Sequence, residues 1–289
     1  NNEVRILEQL CNMNTPLVST DIMYTATELI RHGICYLDAQ GKHLVLPVEL
    51  KEAFLAAQAN KSFVQAQKHN GKIYTACSAC VYFYGVYPIA GLQEHIQQLT
   101  GTYMTEQEIL NWNKFSLMQR EEFFFKNGYI ISTSLRETPE DVVALQQLQK
   151  MKKRFFWPNT EQLVDLSMEL WLISERWFEP FWSLSPFLME NEFGDIMSVS
   201  RFVEASIRTG APFESLMGFL SEQIFAFDSM EQIDEFVQIM QNIWDNTPMW
   251  ENCGYSPNQL KTAALKPAAQ KNTSGKVVSL AEHRAKKNK

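Results

Sequence analysis

The sequence lacks the short motifs by which most enzymes are recognised. Its 289 residues contain no Gly-x-Ser-x-Gly elbow, P-loop, dinucleotide-binding fingerprint or His-Glu-x-x-His helix. The common signatures of acyl transfer, nucleotide binding and zinc hydrolysis are therefore absent. An enzyme whose catalytic residues are dispersed along the chain leaves no such motif, so that class stays open as the weakest alternative. We predict a protein that is not an enzyme, with no catalytic residues and no cofactor.

Metal-ligand spacings are also missing. The chain has one Cys-x-x-Cys pair, Cys77 and Cys80, whereas structural zinc needs four ligands and no second pair exists. His69 precedes the pair, but zinc deaminases require Glu two residues after such a His, and Gly71 stands there. The pair is interpreted as two small buried side chains of a helix. His95 is assigned to the polar face of another helix, and we predict no metal site.

The cysteines and one long apolar run bear on the compartment. Five cysteines at unrelated spacings do not form a disulfide framework, which favours a reducing compartment, with the cytoplasm as the default. No signal-peptide pattern is visible. Residues 73–93 are uncharged over about the thickness of a membrane, but Gly85, Pro88 and Gly91 interrupt them. We interpret this run as a buried helix, a turn and a second helix, and not as a membrane span.

Negative charge is scarce at one end of the chain only. The net charge is -7, yet residues 261–289 carry eight Lys or Arg against one Glu. Residues 1–260 therefore hold 18 basic and 32 acidic residues, a net charge of -14 that repels phosphate backbones. The basic tail at 261–289 is rich in Ala, Ser and Lys and is predicted to be disordered. We expect nucleic-acid binding to be absent, or weak and mediated by this tail.

The patterns that are present predict a mainly α fold. Residues 1–60 are predicted to form a winged-helix-like segment, in which helices precede two β-prone runs around a Gly-containing turn at 34–47. Residues 61–137 are predicted to be a helical middle region with a β-hairpin near 122–132, where an Asn-Gly pair separates two β-prone runs. Residues 138–260 are predicted to form a C-terminal helical bundle with short connecting turns.

Three features are predicted within the C-terminal bundle. A helix beginning after Thr138 is expected to run to Arg154. The last long helix, at 228–245, is expected to place its apolar side chains on one face: Ile233, Phe236, Val237, Met240, Ile243 and Trp244. Beyond it, Pro248 and Gly254 reverse the chain and Pro257 starts a short final helix. We predict that Trp250 is buried against the 228–245 helix as part of a structural lid.

Aromatic residues are dense in two runs, "RFFWPN" at 154–159 and "ERWFEPFWSLSPF" at 175–187. Core packing explains most of them. Glu175 and Glu179 oppose the electrostatics of single-stranded nucleic-acid binding, so exposed members of the second run are better suited to a protein interface. The predicted interaction residues are Trp177, Phe178, Phe181, Trp182, Trp250 and Tyr255.

A DNA-binding role is considered because of the winged-helix-like pattern. Only fifteen residues are available from Ser19 to Gly33 inclusive, while helix, turn and recognition helix take about twenty. The stretch at 24–32 offers one Arg beside an opposing Glu, which is poor for phosphate contacts. A scaffold used for packing or protein contact is therefore favoured. We predict a non-catalytic cytoplasmic protein-interaction or adaptor protein that is not in the membrane, with a DNA-binding regulator as the alternative.

The stretch "NTPMWENCGYSPNQL" at 246–260 resembles the Asn-Thr-x-x-Trp and Gly-x-Ser/Thr-Pro-x-x-Leu ending of a largely uncharacterised protein group from Gram-positive bacteria. The resemblance extends to "LVLPVEL" at 44–50, "FYGVYPIAGLQEHI" at 83–96 and "FFFKNGYI" at 123–130. It implies a bacterial protein with a winged-helix-like start. Many members continue into a SEC-C zinc motif, but residues 261–289 contain no cysteine, so that metal site is not implied here.

Overall fold

The protein is mainly α in the computed structural model, with a few short antiparallel strands. The structure describes residues 2–12, 26, 27, 29–115, 122–152, 154–159, 163, 181–189 and 194–265. Contacts within the chain divide it into two compact units, one of residues 1–75 and 96–119 and the other of residues 76–95 and 120–289. The predicted segments 1–60, 61–137 and 138–260 stay a prediction.

The regular elements have the following bounds. The helices are α1 (Asn2–Asn12), α2 (Val48–Ala59), α3 (Lys61–Tyr84), α4 (Ile89–Thr100), α5 (Glu106–Phe115), α6 (Pro139–Lys150), α7 (Ile196–Arg208), α8 (Phe213–Gln223), α9 (Met230–Asn246) and α10 (Pro257–Leu265). The strands are β1 (Tyr36–Leu37), β2 (Leu44–Val45), β3 (Val86–Pro88), β4 (Phe123–Lys126) and β5 (Tyr129–Ser132). Short 3-10 turns cover Thr133–Leu135, Ser185–Phe187 and Trp250–Asn252.

The first unit has a small core shared by helices and a hairpin. Ile6 and Leu10 of α1 pack with Leu29, which lies in a helical turn, and with Leu44 of β2. Strands β1 and β2 pair antiparallel, with Leu37 opposite Leu44. The helix-then-hairpin order predicted for residues 1–60 is therefore present in the described residues. Its assignment as a winged helix stays a prediction, and residues 13–25 lie outside the described residues.

The uncharged run at 73–93 folds as a helix, a turn and a second helix, as predicted. It comprises the second half of α3, strand β3 and the start of α4, with the turn at Gly85. Within the described ranges, none of the helices combines the length and the apolar character needed to cross a bilayer.

The second unit contains a three-stranded antiparallel sheet with the order β3-β5-β4. Asn127 and Gly128 join β4 to β5 with φ values of 52° and 78°, the left-handed conformations that an Asn-Gly hairpin turn requires. The predicted hairpin is thus confirmed. The third strand, β3, was not predicted, because its three residues carry no alternation long enough to detect. Ile131 of β5 packs with Val86 of β3 and with Leu145 of α6.

Helices α7, α8 and α9 of this unit share a second core. Val203 of α7 and Leu220 of α8 pack there with Phe236, Met240 and Ile243 of α9. The apolar face predicted for α9 is wider than the face that is buried in the structure. Ile233 and Val237 are exposed to 36% and 40%, because α7 and α8 cover a narrower stripe than the sequence period marks.

Candidate interaction site

Trp250 anchors the segment 246–260 to the second unit. It is buried, and its indole Nε1 donates a hydrogen bond to the carbonyl of Tyr82 at 2.8 Å. The Gln149 amide donates to the carbonyls of Tyr84 at 2.7 Å and of Trp250 at 3.2 Å. Burial of Trp250 was predicted correctly, but its place was not: the ring lies in the core of β3, β5 and α6, and not in that of α9. The reversal after α9 carries the ring past the end of that helix.

Gly85 makes this position for the indole possible. Its φ is +67°, and a Cβ there would lie 2.5 Å from Cδ2 and Cε3 of Trp250. Such a distance is far inside van der Waals contact, so an L side chain at position 85 meets both backbone strain and a clash. The tight turn between α3 and β3 and the buried Trp therefore depend on the same glycine.

The chain beyond Trp250 turns and restarts as a helix, as the sequence predicts. Cys253 and Gly254 have φ values of 54° and 83°. Ser256 Oγ accepts from the backbone N–H of Gln259 at 3.3 Å, while the Gln259 side chain accepts from the N–H of Ser256 at 2.9 Å. This capping box opens α10 at Pro257, which is confirmed as the first helical residue. Helix α10 continues to Leu265.

Residues 154–157 lie outside helices and strands, beyond the end of the preceding helix, and we call this segment the strap. Helix α6 ends at Lys150, so the expected end at Arg154 is wrong. Trp157 precedes Pro158, whose ring disfavours helical backbone in the residue before it. The Phe156 N–H donates to the carbonyl of Cys253 at 2.9 Å, and the Phe156 carbonyl accepts from the Tyr84 hydroxyl. Both backbone polar groups of one residue are thus held.

The strap side chains alternate between two sets of aromatic neighbours. Phe155 meets Tyr84 and Tyr87 edge-on, with ring centroids 5.0 and 4.9 Å apart. Phe156 contacts Phe83 at 5.4 Å and Tyr255 at 5.5 Å. Trp157 stacks on His95. We call the surface that receives the strap the aromatic groove; it consists of Phe83, Tyr84, Tyr87, His95, Tyr255 and the carbonyl of Cys253.

His95 is a wall of the aromatic groove and not a surface residue, which corrects its assignment to a polar helix face. It is 8% exposed, and its Nε2 lies 3.0 Å from the hydroxyl of Tyr87. Its ring lies parallel to that of Trp157, with 3.4 Å between centroids. The neighbours that bury it come from β3 and from the strap, and a helical period does not reveal them. Burial raises the pKa of Tyr87 and Tyr84 well above the ordinary value of a tyrosine.

A buried polar network lies next to the Trp250 anchor. The Tyr82 hydroxyl donates to Oε1 of Glu204, which also pairs with Nη1 of Arg208 at 3.6 Å. The Arg208 guanidinium lies over the Tyr82 ring, 4.4 Å from its centroid. Burial, followed by the Glu204 carboxylate, raises the pKa of Tyr82 well above its ordinary value, against the opposing effect of Arg208. Tyr82 therefore stays protonated and links α3 to α7.

The cysteines are free thiols in apolar surroundings. Cys77 and Cys80 are fully buried in α3, which confirms their interpretation as core residues. Burial raises the pKa of both thiols well above the ordinary value, and raises that of Cys253 to about 12. Thiols so protonated are poor nucleophiles and poor metal ligands. Among the described residues, no three His, Cys, Asp or Glu side chains are grouped so as to hold a metal ion.

The predicted interaction residues lie in different environments. Trp177 and Phe178 are outside the described residues. Phe181 and Trp250 are buried in the two cores of the second unit, and Tyr255 is half-buried against Phe156. Trp182 is 61% exposed. Of the described candidates, Trp182 is thus the one most open to contact with another molecule, and whether any of them binds a partner stays a prediction.

Helix α2 carries exposed apolar residues that the sequence analysis did not single out. All twelve of its residues are described, and none is buried. Val48, Leu50 and Leu55, with Phe63 at the start of α3, are exposed to 66%, 37%, 49% and 45%, and we call these four residues the α2 surface. The signal in the sequence is "VELKEAFLAAQA", where apolar residues lie all around the helix and leave no side that is purely polar.

The strap was also not singled out from the sequence, although a signal for it exists. Three consecutive aromatic residues stand directly before Pro158, and the residue before a proline avoids helical backbone.

In comparisons with known proteins, no protein-family model matches this chain, and no curated protein or solved structure matches it either. The resemblance of residues 246–260 to the Gram-positive group therefore stays a prediction.

Proposed function

We propose that the protein is a non-catalytic, cytoplasmic protein-interaction protein and that the α2 surface is one of its contact sites. The observation that supports this most directly is the exposure of Val48, Leu50, Leu55 and Phe63 within one short stretch. A helix of twelve residues is marginal in water and normally gains its stability by packing an apolar face. Helix α2 leaves large apolar side chains in water, and covering them with an apolar surface of another protein would be favourable, because it removes them from water.

Site-specific photo-crosslinking tests this function. A photoreactive phenylalanine analogue is placed at Leu55 or Phe63 of the full chain, in the cells in which the protein naturally occurs. The matched control carries the analogue at Val143 of α6, which is 52% exposed. We expect a distinct protein to be crosslinked from positions 55 and 63 and not from 143. Equal crosslinking from all three positions, or none from 55 and 63, contradicts the proposal.

A charge substitution provides a second readout at the same surface. Leu55→Lys removes an apolar contact without touching the described cores, so the melting temperature should stay close to that of the parent. Capture of the partner identified by crosslinking should fall at least tenfold, because a charged residue within an apolar interface is costly to desolvate. Val143→Lys should leave capture unchanged.

The second candidate function is that of a DNA-binding regulator. The core that α1 shares with the β1–β2 hairpin supports it, since this core would hold a helix and a wing together when they contact DNA. The acidic charge of residues 1–260 argues against it. Gel shifts with the full chain and with a chain ending at Leu265, where α10 ends, separate the two. Sequence-specific binding by the shorter chain would favour the regulator, whereas binding that needs the tail and disappears in salt would not.

A further inference from the structure

The strap and the aromatic groove have the geometry of a bound peptide and its receptor. Residues 155–157 lie outside helices and strands, and their side chains alternate between two sets of aromatic neighbours. Recognition of extended peptides in other proteins uses the same two components: backbone hydrogen bonds that give affinity, and pockets for alternate side chains that give specificity. Here the backbone component is centred on Phe156, whose N–H and carbonyl are both bonded to groove residues.

The groove does not depend on the chain connection that delivers the strap. Its walls come from the end of α3, from β3, from α4 and from residues 253–255, all of them distant in sequence from 154–157. These walls are held independently: Tyr84 and Gly85 by the Gln149 amide and the Trp250 ring, and Tyr87 by the pairing of β3 with β5. A separate peptide of the same chemistry would meet the same donors, acceptors and ring faces.

The strap is less firmly held than the groove. Phe155, Phe156 and Trp157 are only partly buried, while Phe83, Tyr84, Tyr87 and His95 beneath them are buried. Segments that are only partly buried open locally at a lower free energy than the core. Opening of the strap would uncover the aromatic walls without breaking the β3–β5–β4 sheet.

We propose that residues 154–157 act as an internal, exchangeable ligand of the aromatic groove, and that the groove binds an extended peptide with consecutive aromatic residues from a partner protein. This proposal adds a second surface and a defined kind of ligand to the protein-interaction function. It does not depend on the α2 surface, because crosslinking at Leu55 does not report on the groove, so the two can fail separately.

The tethered strap competes strongly with a free peptide. A segment joined by a short linker acts at an effective concentration in the millimolar range. A peptide that binds the open groove with a Kd of about 10 μM is then weakened about a hundredfold by the intact strap, if the strap has the same intrinsic affinity. The groove should therefore be nearly closed to peptides in the parent and open once the strap side chains are removed.

Peptide binding tests the proposal in the full chain. The probe is a labelled hexapeptide, Arg-Phe-Phe-Trp-Pro-Asn, which copies residues 154–159, and its affinity is measured by fluorescence anisotropy. We expect a variant with Phe155→Ala and Phe156→Ala to bind the probe at least tenfold more tightly than the parent does. Tyr36→Ala, at an exposed ring of β1, should behave like the parent, and a peptide with the same residues in scrambled order should not bind. No tightening in the double variant, or equal binding of the scrambled peptide, overturns the proposal.

Hydrogen exchange in the unchanged protein decides the matter if the double variant does not fold. The amide of Phe156, bonded to the Cys253 carbonyl, is compared with that of Ile131 in the central strand of the sheet. We expect Phe156 to exchange at least tenfold faster than Ile131, because the strap opens before the sheet. Equal rates would mean that the strap leaves only on global unfolding, and would overturn the proposal. If the parent dimerises and the double variant does not, the groove binds the strap of a second copy. That outcome would overturn the proposal that a separate partner protein supplies the peptide.

Discussion

The two halves of α3 are both helical, but they differ strongly in how many of their side chains are buried. Residues 61–72, all of them described, include no buried side chain and carry three lysines without an acidic residue. In residues 73–84, all but Tyr74 and Thr75 are buried. The backbone is helical throughout, and the division between the two compact units falls between Thr75 and Ala76. Helix formation and helix packing are therefore separate properties of the same segment.

The contrast shows where the stability of the molecule resides. The second half of α3 supplies the carbonyl for the Trp250 indole, the hydroxyl for Glu204 and two rings of the aromatic groove, Phe83 and Tyr84. The first half contributes little burial and, with α2, leaves its apolar side chains available for contact. Substitutions at the buried end should cost stability, whereas substitutions at the exposed end should affect recognition.

The largest expected effect is at the Trp250 anchor. Trp250→Ala should lower the free energy of unfolding by roughly 3–5 kcal/mol, because it removes a fully buried ring and leaves the Tyr82 carbonyl without its indole donor. Denaturant unfolding measures this change. Trp182→Ala is the matched control at an exposed Trp and should change stability by less than about 0.5 kcal/mol. Equal stability of the two variants would contradict the burial of Trp250.

Substitution of Gly71, within α3, and of Gly85, directly after α3, should change the stability in opposite directions. Gly85→Ala should destabilise by roughly 2–4 kcal/mol, since its φ of +67° and the Trp250 ring both oppose a Cβ. Gly71, in the exposed half of α3, has open space around it, so Gly71→Ala should stabilise by up to about 1 kcal/mol through helix propensity. Urea unfolding of both variants tests the contrast between the halves, and effects of the same sign would break it.

A smaller effect is expected where the buried half of α3 meets α7. Tyr82→Phe removes the hydroxyl that donates to Glu204 and should cost about 1–3 kcal/mol, because the carboxylate stays buried with fewer partners. Tyr36→Phe, at an exposed ring of β1, is the control and should be nearly neutral. Thermal unfolding of the two variants provides the measurement. A neutral Tyr82→Phe would show that the network does not stabilise the fold.

The smallest effect concerns the exposed hairpin of the first unit. The hydrogen bond from His43, and then the backbone N–H of Lys42, lower the pKa of Asp38 to about 2. Because the folded pKa lies below the ordinary value of about 3.9, the contribution of Asp38 is present above that value and is lost as pH falls through about 2. NMR titration should show a higher pKa for Asp38 in His43→Ala. Lys42→Ala keeps the backbone donor and should leave that pKa nearly unchanged.

Local chemistry allowed several elements to be predicted from the amino-acid order. The Asn127-Gly128 turn and the restart of the chain at Pro257 each depend on residues within a few positions of one another. Burial of Cys77 and Cys80 was also foreseeable, because two cysteines in an uncharged helical run have no better environment than a core.

Long-range packing determined the burial and the contacts on which the proposed functions are based. The indole of Trp250 donates to a carbonyl 168 positions earlier in the chain, and His95 is buried by Trp157 and by Tyr87, which lies outside its own helix. The exposure of Ile233 and Val237 depends on how much of α9 its neighbours cover. A hydrophobic period states that a residue prefers burial, but which neighbour buries it, or whether any does, is settled by the free energy of assembling distant segments.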